Sequence, residues 1–220
     1  MMEKLAVIVP YRDRKEHLSL FVPHMEKCLS EDGVDFNIFI IEQDNDKPFN
    51  RAKLLNVGFD LSKEFDYFAF HDVDMLPVDS DYSPIEGPTH LASEVEQFSW
   101  GLPYEGYFGG VTLFDKESFL KINGYSNDYW GWGAEDDDVL HRCMLMGVET
   151  YRKECRYRSL NHERVVERNL YHQNVMRLKD FQSDESAITK IQEDGLSTLS
   201  YTKKSQENIT DLSRLIKVDI

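Results

Sequence analysis

Asp72-Val73-Asp74 follows an apolar run, YFAF at 67–70, through His71 and places two carboxylates one residue apart. On an extended chain, residues i and i+2 point the same way. Both acids can therefore approach one hard cation, with water and phosphate oxygens filling the rest of its shell. Such a cation suits a diphosphate leaving group, on whose oxygen negative charge builds as its bond breaks. A D-x-D triplet also arises as a solvated acidic turn, but YFAF before it and Met75-Leu76-Pro77 after it confine this one to a strand–turn junction.

A second constellation runs Trp130-Gly131-Trp132-Gly133-Ala134-Glu135-Asp136-Asp137-Asp138. A helix start favours negative charge, and Asp is a good cap there. That accounts for one or two of these acids, whereas four need something to offset their repulsion. Chemistry supplies a reason: a carboxylate can take the proton of a sugar hydroxyl, and a second can hold its neighbour. Tryptophan offers an apolar face to a sugar ring, and the flanking glycines let a loop move over a substrate. A third element, Pro10-Tyr11-Arg12-Asp13-Arg14, follows the first apolar run. Two guanidinium groups there suit a nucleotide phosphate; a charged loop paired with nearby acids has the same composition.

The elements that must position these residues alternate. LAVIV (5–9) reads as a buried strand, followed by a helical face of Leu18, Phe21, Val22, Met25 and Leu29 in which Pro23 is expected to kink the helix or mark its start. FNIFII (36–41) is a second strand, Asn50 caps a helix reaching Leu61, and YFAF is a third strand. Residues 77–103 read as loop, GGVTLF (109–114) as a strand, 116–122 and about 135–146 as helices. Beyond Tyr157 the chain reads as polar and helical, closing on an alternating strand through Leu212, Ile216, Val218 and Ile220. This alternation predicts an α/β fold with a mostly parallel central sheet and flanking helices, as one domain over 1–220. In such sheets ligands sit at the carboxyl ends of the strands, where both acidic clusters fall.

The 220 residues carry a net charge of −15, which argues against nucleic acid or an anionic membrane as partner. No apolar run reaches the roughly 18–20 residues of a transmembrane segment, and the amino terminus lacks a secretory pattern. Three scattered cysteines form no CxxC pair. A reduced, cytoplasmic protein is the simplest expectation; a soluble fragment of a longer anchored enzyme has the same features.

Taken together, VIVPYRDR (7–14), FNRAKLLNVGF (49–59), FHDVDMLP (70–77), YFGGVTLFDKESFLKINGYSNDYWGWGAEDDDV (107–139) and DGLSTLSY (194–201) resemble the β-1,4-galactosyltransferase family, in the family's order. FVPHM (21–25) and HDVDMLP look closest to its xylosylprotein branch. The resemblance implies a GT-A-type nucleotide-sugar transferase fold and inverting transfer of galactose from UDP-galactose to a carbohydrate acceptor, with manganese and a β-1,4 linkage. It implies that Pro10, Tyr11, Arg12, Arg14, Phe49, Arg51, Asp72, Val73, Tyr107, Gly110, Trp132 and Glu135 hold the donor. Tyr107 matches the position that favours galactose over N-acetylgalactosamine. Asp136 corresponds to the base; Tyr104, Trp132, Asp136 and Asp137 face the acceptor; Asp74 and His162 bind metal.

The sequence departs from the family at the remaining metal ligand, where Ser159 or Leu160 stands in place of Met or His, so weaker metal binding is expected; Asn161 or water is a substitute donor. The segment after His162 shows no recognisable acceptor pocket. Two other readings fit the residues: UDP-N-acetylgalactosamine or UDP-glucose as donor, or a carbohydrate-binding module without turnover.

Overall fold

A computed structural model describes residues 3–161, 166–182 and 186–220. The chain runs β1 (Lys4–Tyr11), α1 (Lys15–Glu31), β2 (Asp35–Gln43), α2 (Arg51–Leu61), β3 (Tyr67–His71), β4 (Met75–Asp79), β5 (Thr89–His90) and β6 (Glu94–Val95). It continues β7 (Val111–Asp115), α3 (Lys116–Lys121), α4 (Glu135–Leu145), β8 (Tyr151–Arg152) and β9 (Arg156–Ser159). The last elements are α5 (Arg168–Gln182), α6 (Ala187–Glu193), β10 (Thr202–Asn208) and β11 (Ser213–Asp219).

Eight strands form the main sheet in the order β10-β11-β2-β1-β3-β7-β5-β8. Its centre is parallel, β11 to β2 to β1 to β3, while β7 joins β3 antiparallel. The central strands are continuous apolar runs because both faces are covered. On β1, Leu5, Val7 and Val9 pack with Phe21, Val22, Met25 and Leu29 of α1. Ala6 and Ile8 point the other way, into a cluster with Leu54, Leu55, Val57 and Phe59 of α2. Gly58 lets α2 lie close on β1: a Cβ there would stand 2.2 Å from Ile8 Cγ2.

Several expectations are corrected. The helix α1 runs through Pro23 without starting there; the ring is exposed, and so is Ser19, whose carbonyl loses its amide donor and can turn to water. Residues 77–103 are not all loop. They hold the end of β4 together with β5 and β6, and β4-β9-β6 form a second sheet of three strands. Strands β5 and β6 have two residues each, too few for a two-residue alternation to show. Strand β9 also replaces the start of the helical stretch expected beyond Tyr157, and α5 begins only at Arg168. Strand β10 has no apolar face at all; it is exposed along its length and forms because β11 supplies an antiparallel partner. No helix among the described residues is long and apolar enough to cross a membrane.

Gly58→Ala is expected to lower stability by about 1–3 kcal/mol, since the methyl group overpacks the α2–β1 contact. Urea unfolding measures it, and a midpoint equal to the wild type's would show that the contact yields without cost.

Candidate active site

Strand β3 ends in a buried polar relay. Tyr157 donates its hydroxyl hydrogen to the Tyr82 oxygen (3.1 Å), and the Tyr82 hydroxyl lies 2.8 Å from His71 Nε2. His71 Nδ1 lies 2.9 Å from the Asp72 carbonyl, which can only accept, so Nδ1 carries the proton and Nε2 accepts from Tyr82. Burial lowers the His71 pKa to about 4, which keeps the ring neutral. The strand end that presents Asp72 is thereby fixed from below. Sequence patterns single out none of these three residues; only the position of His71 before the D-x-D triplet hints at a role.

Arg51, the first residue of α2, is the hub of the site. Its helix starts cleanly because the Asn50 side chain accepts from Lys53 N. Arg51 Nε donates to Asp72 Oδ1 at 2.6 Å and Nη1 to Asp136 Oδ1 at 2.8 Å, with Glu135 Oε1 at 3.8 Å. Burial opposes the guanidinium's charge, but Asp136 and Asp72 outweigh it and raise its pKa above the ordinary value. The four acids of α4 are divided among different partners. Asp137 accepts from the Tyr104 hydroxyl at 2.8 Å. Asp138 is buried against Arg142 Nε (2.7 Å) and the Tyr129 hydroxyl (3.1 Å), a structural pairing. None of the four is the helix cap, which is Ala134 at φ 75°.

The neutralisation is incomplete. Burial, reinforced by Asp136 and opposed by Arg51, pushes the Glu135 carboxyl up to about 8. Burial likewise raises Asp72 to about 6 against the pull of Arg51, and Asp74 and Asp136 both add to the rise. Asp74 and Asp136 therefore act electrostatically on one carboxylate, although they come from distant parts of the chain.

Residues 104–110 wrap this cluster. Besides Tyr104 on Asp137, the Gly110 carbonyl accepts from Asp72 N at 2.9 Å. A Cβ on Gly109 would stand 2.2 Å from Asp136 Oδ2, so only glycine lets the backbone lie against that carboxylate. Gly110 takes φ +77°, which favours glycine. Tyr107 is pushed well above its ordinary pKa by burial and then by Asp136 and Asp72. Val73 is buried beneath the turn.

The arginine loop after β1 lies to one side. Pro10 and Tyr11 are buried at the strand end, and Arg14 precedes α1, partly exposed. Arg12 donates to the Lys47 carbonyl at 2.7 Å and lies 5.4 Å from the centre of the Phe49 ring. An open groove of about 500 Å³ runs beside it, bounded by Gln43, Asn45 and Lys204 among others. Gly131 N donates to the Phe49 carbonyl at 2.7 Å, which joins this loop to the tryptophan loop. Trp132 is half exposed and stacks on Tyr171 of α5, with centroids 5.4 Å apart.

Asp74 sits where β4 begins, and its carbonyl accepts from Leu160 N at 2.8 Å. This brings the expected metal-ligand segment beside it. His162 lies outside the described residues. Among the described residues no three His, Cys, Asp or Glu side chains converge as a ready metal site. Among the described residues the Ser159 hydroxyl is buried without a hydrogen-bond partner, and Asp72 and Asp74 supply oxygen. This donor set fits a hard divalent cation better than a soft one.

Two family models match the chain. One, described as the N-terminal region of glycosyl transferase group 7, matches residues 1–83; the other, described as the N-terminal domain of galactosyltransferase, matches residues 89–164. Mouse beta-1,4-galactosyltransferase 1 is 38% identical over 208 residues, 90% of this chain and 50% of that protein. The chain spans about half the length of the first curated relatives it matches. The catalytic domain of Drosophila beta1,4-galactosyltransferase 7, crystallised with xylobiose, is similar with a TM-score of 0.82 at 30% identity, over 100% of this chain and 94% of that one. A variant of the Drosophila enzyme in complex with manganese, UDP-Gal and xylobiose gives 0.75, with the same identity and coverage.

The raised carboxyls give a signed pH dependence. A carboxyl whose folded pKa lies above its unfolded value favours folding while protonated, and that contribution is lost as pH rises through the folded pKa. Without metal, the protein is expected to lose stability from about pH 4, where the same carboxyls ionise in the unfolded chain, up to about pH 8; Asp72 contributes until near 6 and Glu135 until near 8. Glu135→Gln should flatten this slope and raise stability at pH 8 by more than about 1 kcal/mol, since a tenfold change in proton affinity corresponds to about 1.4 kcal/mol. Thermal unfolding in EDTA across this range measures it; an unchanged slope would place the titration elsewhere.

Proposed function

The chain belongs to the β-1,4-galactosyltransferase family and has its GT-A fold, and on that premise we propose that it transfers galactose from UDP-galactose to a hydroxyl of a carbohydrate acceptor, with inversion. The observation that carries this reading is the pairing of Asp72 and Asp136 on one buried guanidinium, Arg51. It supports the reading because the carboxylates assigned here to the donor and the acceptor side meet on one side chain.

Asp136 is the base. Arg51 holds one of its oxygens and fixes the carboxylate's orientation, while Gly109 leaves room at the other. As the acceptor oxygen bonds to the anomeric carbon, its proton passes to Asp136 and the bond from that carbon to the diphosphate oxygen breaks on the opposite face, releasing UDP. Asp137, oriented by Tyr104, holds a neighbouring acceptor hydroxyl. Trp132 stacks on the sugars, and the half-exposed loop around it closes when the donor binds. Arg12 and Phe49 receive the nucleotide beside the groove at the end of β1, and Tyr107 lies against the donor sugar. A divalent cation, manganese in the Drosophila complex, would be held by Asp74 and His162 and would neutralise charge on the departing diphosphate.

The test is incubation with UDP-galactose, manganese and a panel of sugar acceptors that includes xylosides, because the Drosophila neighbour binds xylobiose. Release of UDP together with an acceptor mass increased by one hexose supports the reading. Binding without turnover would make the chain a carbohydrate-binding module, and UDP-N-acetylgalactosamine and UDP-glucose run alongside decide the donor. Asp136→Asn is expected to lower transfer by roughly 10²–10⁴-fold while UDP-galactose binding stays near wild type; a variant that keeps most of its rate would remove Asp136 as the base. Asp74→Ala should abolish manganese-dependent UDP binding by calorimetry, and an unchanged titration would take Asp74 out of the metal site.

A further inference from the structure

Residues 104–110 touch three carboxylate-bearing residues: Asp137 through the Tyr104 hydroxyl, Asp136 at Gly109, and Asp72 N through the Gly110 carbonyl. What holds this segment is a pair outside it. Arg152 Nη2 donates to the carbonyls of Tyr107 (2.8 Å) and Glu105 (3.2 Å), and Arg152 Nε donates to His90 Nδ1 (3.2 Å). Arginine can only donate, so His90 Nδ1 accepts and Nε2 carries the proton. Nε2 then donates to the Gly109 carbonyl at 2.9 Å. The His90 ring also packs edge-on against Tyr107, with centroids 5.5 Å apart, and lies against Phe108. Burial lowers its pKa to about 4, in keeping with one fixed neutral tautomer.

We propose that Arg152 and His90 are positioning residues that clamp the backbone of 105–109 from behind, setting where Tyr107 meets the donor sugar and where Gly109 meets Asp136. The geometry is one-sided. Arg152 sits on β8 at the sheet edge, exposed, and reaches inward to two carbonyls; His90 on the neighbouring β5 is fully buried and reaches the third. Their polar contacts run to the loop backbone and to each other, so both act on Asp136 and the donor sugar through the loop. Three backbone carbonyls with directed donors leave the segment little freedom to shift. A small displacement of Tyr107 changes the space at the sugar position it faces, and displacements near 1 Å away from the chemistry are enough to cost about 10²-fold. The clamp therefore acts on donor selectivity, a role that rests on the galactosyltransferase reading above.

The experiment compares wild type, Arg152→Leu, His90→Phe and His90→Gln in the full chain. Two quantities are read: the ratio of kcat/KM for UDP-galactose over UDP-N-acetylgalactosamine, and amide hydrogen exchange at 104–111. Arg152→Leu lies at the surface, so it tests the clamp even where His90→Phe fails to fold. In Arg152→Leu and His90→Phe, the ratio is expected to fall roughly ten-fold and exchange to speed up at 104–111 while β1 and β3 stay protected. His90→Gln keeps a donor and an acceptor and should restore both towards wild type. A variant that lowers both rates together, leaving the ratio unchanged, or that speeds exchange throughout the sheet, would overturn the proposal and leave the pair a merely structural role. If the wild-type chain transfers no sugar from either donor, the functional reading fails, and the selectivity role with it. The exchange data at 104–111 then decide whether the clamp itself exists.

Discussion

One guanidinium has to hold apart, and hold together, carboxylates that would otherwise repel each other. Asp72, Asp74, Glu135, Asp136 and Asp137 share one region, and Arg51 is the cation bonded to two of them. Like charges a few ångströms apart cost several kcal/mol at a protein's effective dielectric, and a buried charge stripped of its partner costs about 3–5 kcal/mol. A lysine could not do the same work, since a point charge on a flexible stem reaches one carboxylate well, whereas the planar fork reaches two from different directions. The incomplete balance is as informative as the pairing. Burial and neighbouring acids hold Glu135 and Asp72 in their protonated direction, so one guanidinium does not neutralise the cluster.

The fold meets this electrostatic demand by topology. The parallel order β2-β1-β3 sets the ends of β1 and β3 on one edge, and α2 delivers Arg51 to it from the end of the β2 connection. Strand β7 runs antiparallel to β3, so the residues entering it, 104–110, arrive at the end where Asp72 leaves. Helix α4 is held from the opposite side. Arg142 binds Asp138 and the Asp194 carbonyl, while Asp194 Oδ1 accepts from Asn127 N. The DGLSTLSY segment is therefore a clasp for the loop and helix that carry Glu135 and Asp136, and it works from outside the site.

Much of this is legible in the sequence where burial on both faces leaves a continuous apolar run: β1, β2 and β3, the helix capped by Asn50, and the strand and helix after Gly109. What stays hidden follows from physics that sequence patterns do not carry. Strand β10 is polar throughout and exists only by pairing with β11. Strands of two residues, such as β5 and β6, have no period to detect. Among the four acids of α4, the i to i+4 spacing of Asp138 and Arg142 is a sign that Asp138 is structural, yet which face it meets is settled only by Tyr129 and Asp194. The resemblance places Arg51 among the residues that hold the donor; in the structure its nitrogens lie on two carboxylates, a pairing that only the fold reveals.

Polar anchoring is unevenly distributed around the site. Asp136 and its neighbours stand on a helix start locked by Arg51 and Arg142, and the stem of the tryptophan loop is pinned where Asn127 bonds Asn56, Asn50 and Gly195. Between these anchors, Gly131, Gly133 and Ala134 all take positive φ, and Trp132 stacks on Tyr171 while Asn174 reaches its carbonyl at 3.4 Å. An off-centre ring stack contributes about 0.5–1.5 kcal/mol beyond its buried area, far less than the ion pairs on either side. Displacing Asp136 would break a part-buried ion pair, whereas the backbone around Trp132 already uses positive-φ positions that glycine adopts at little cost.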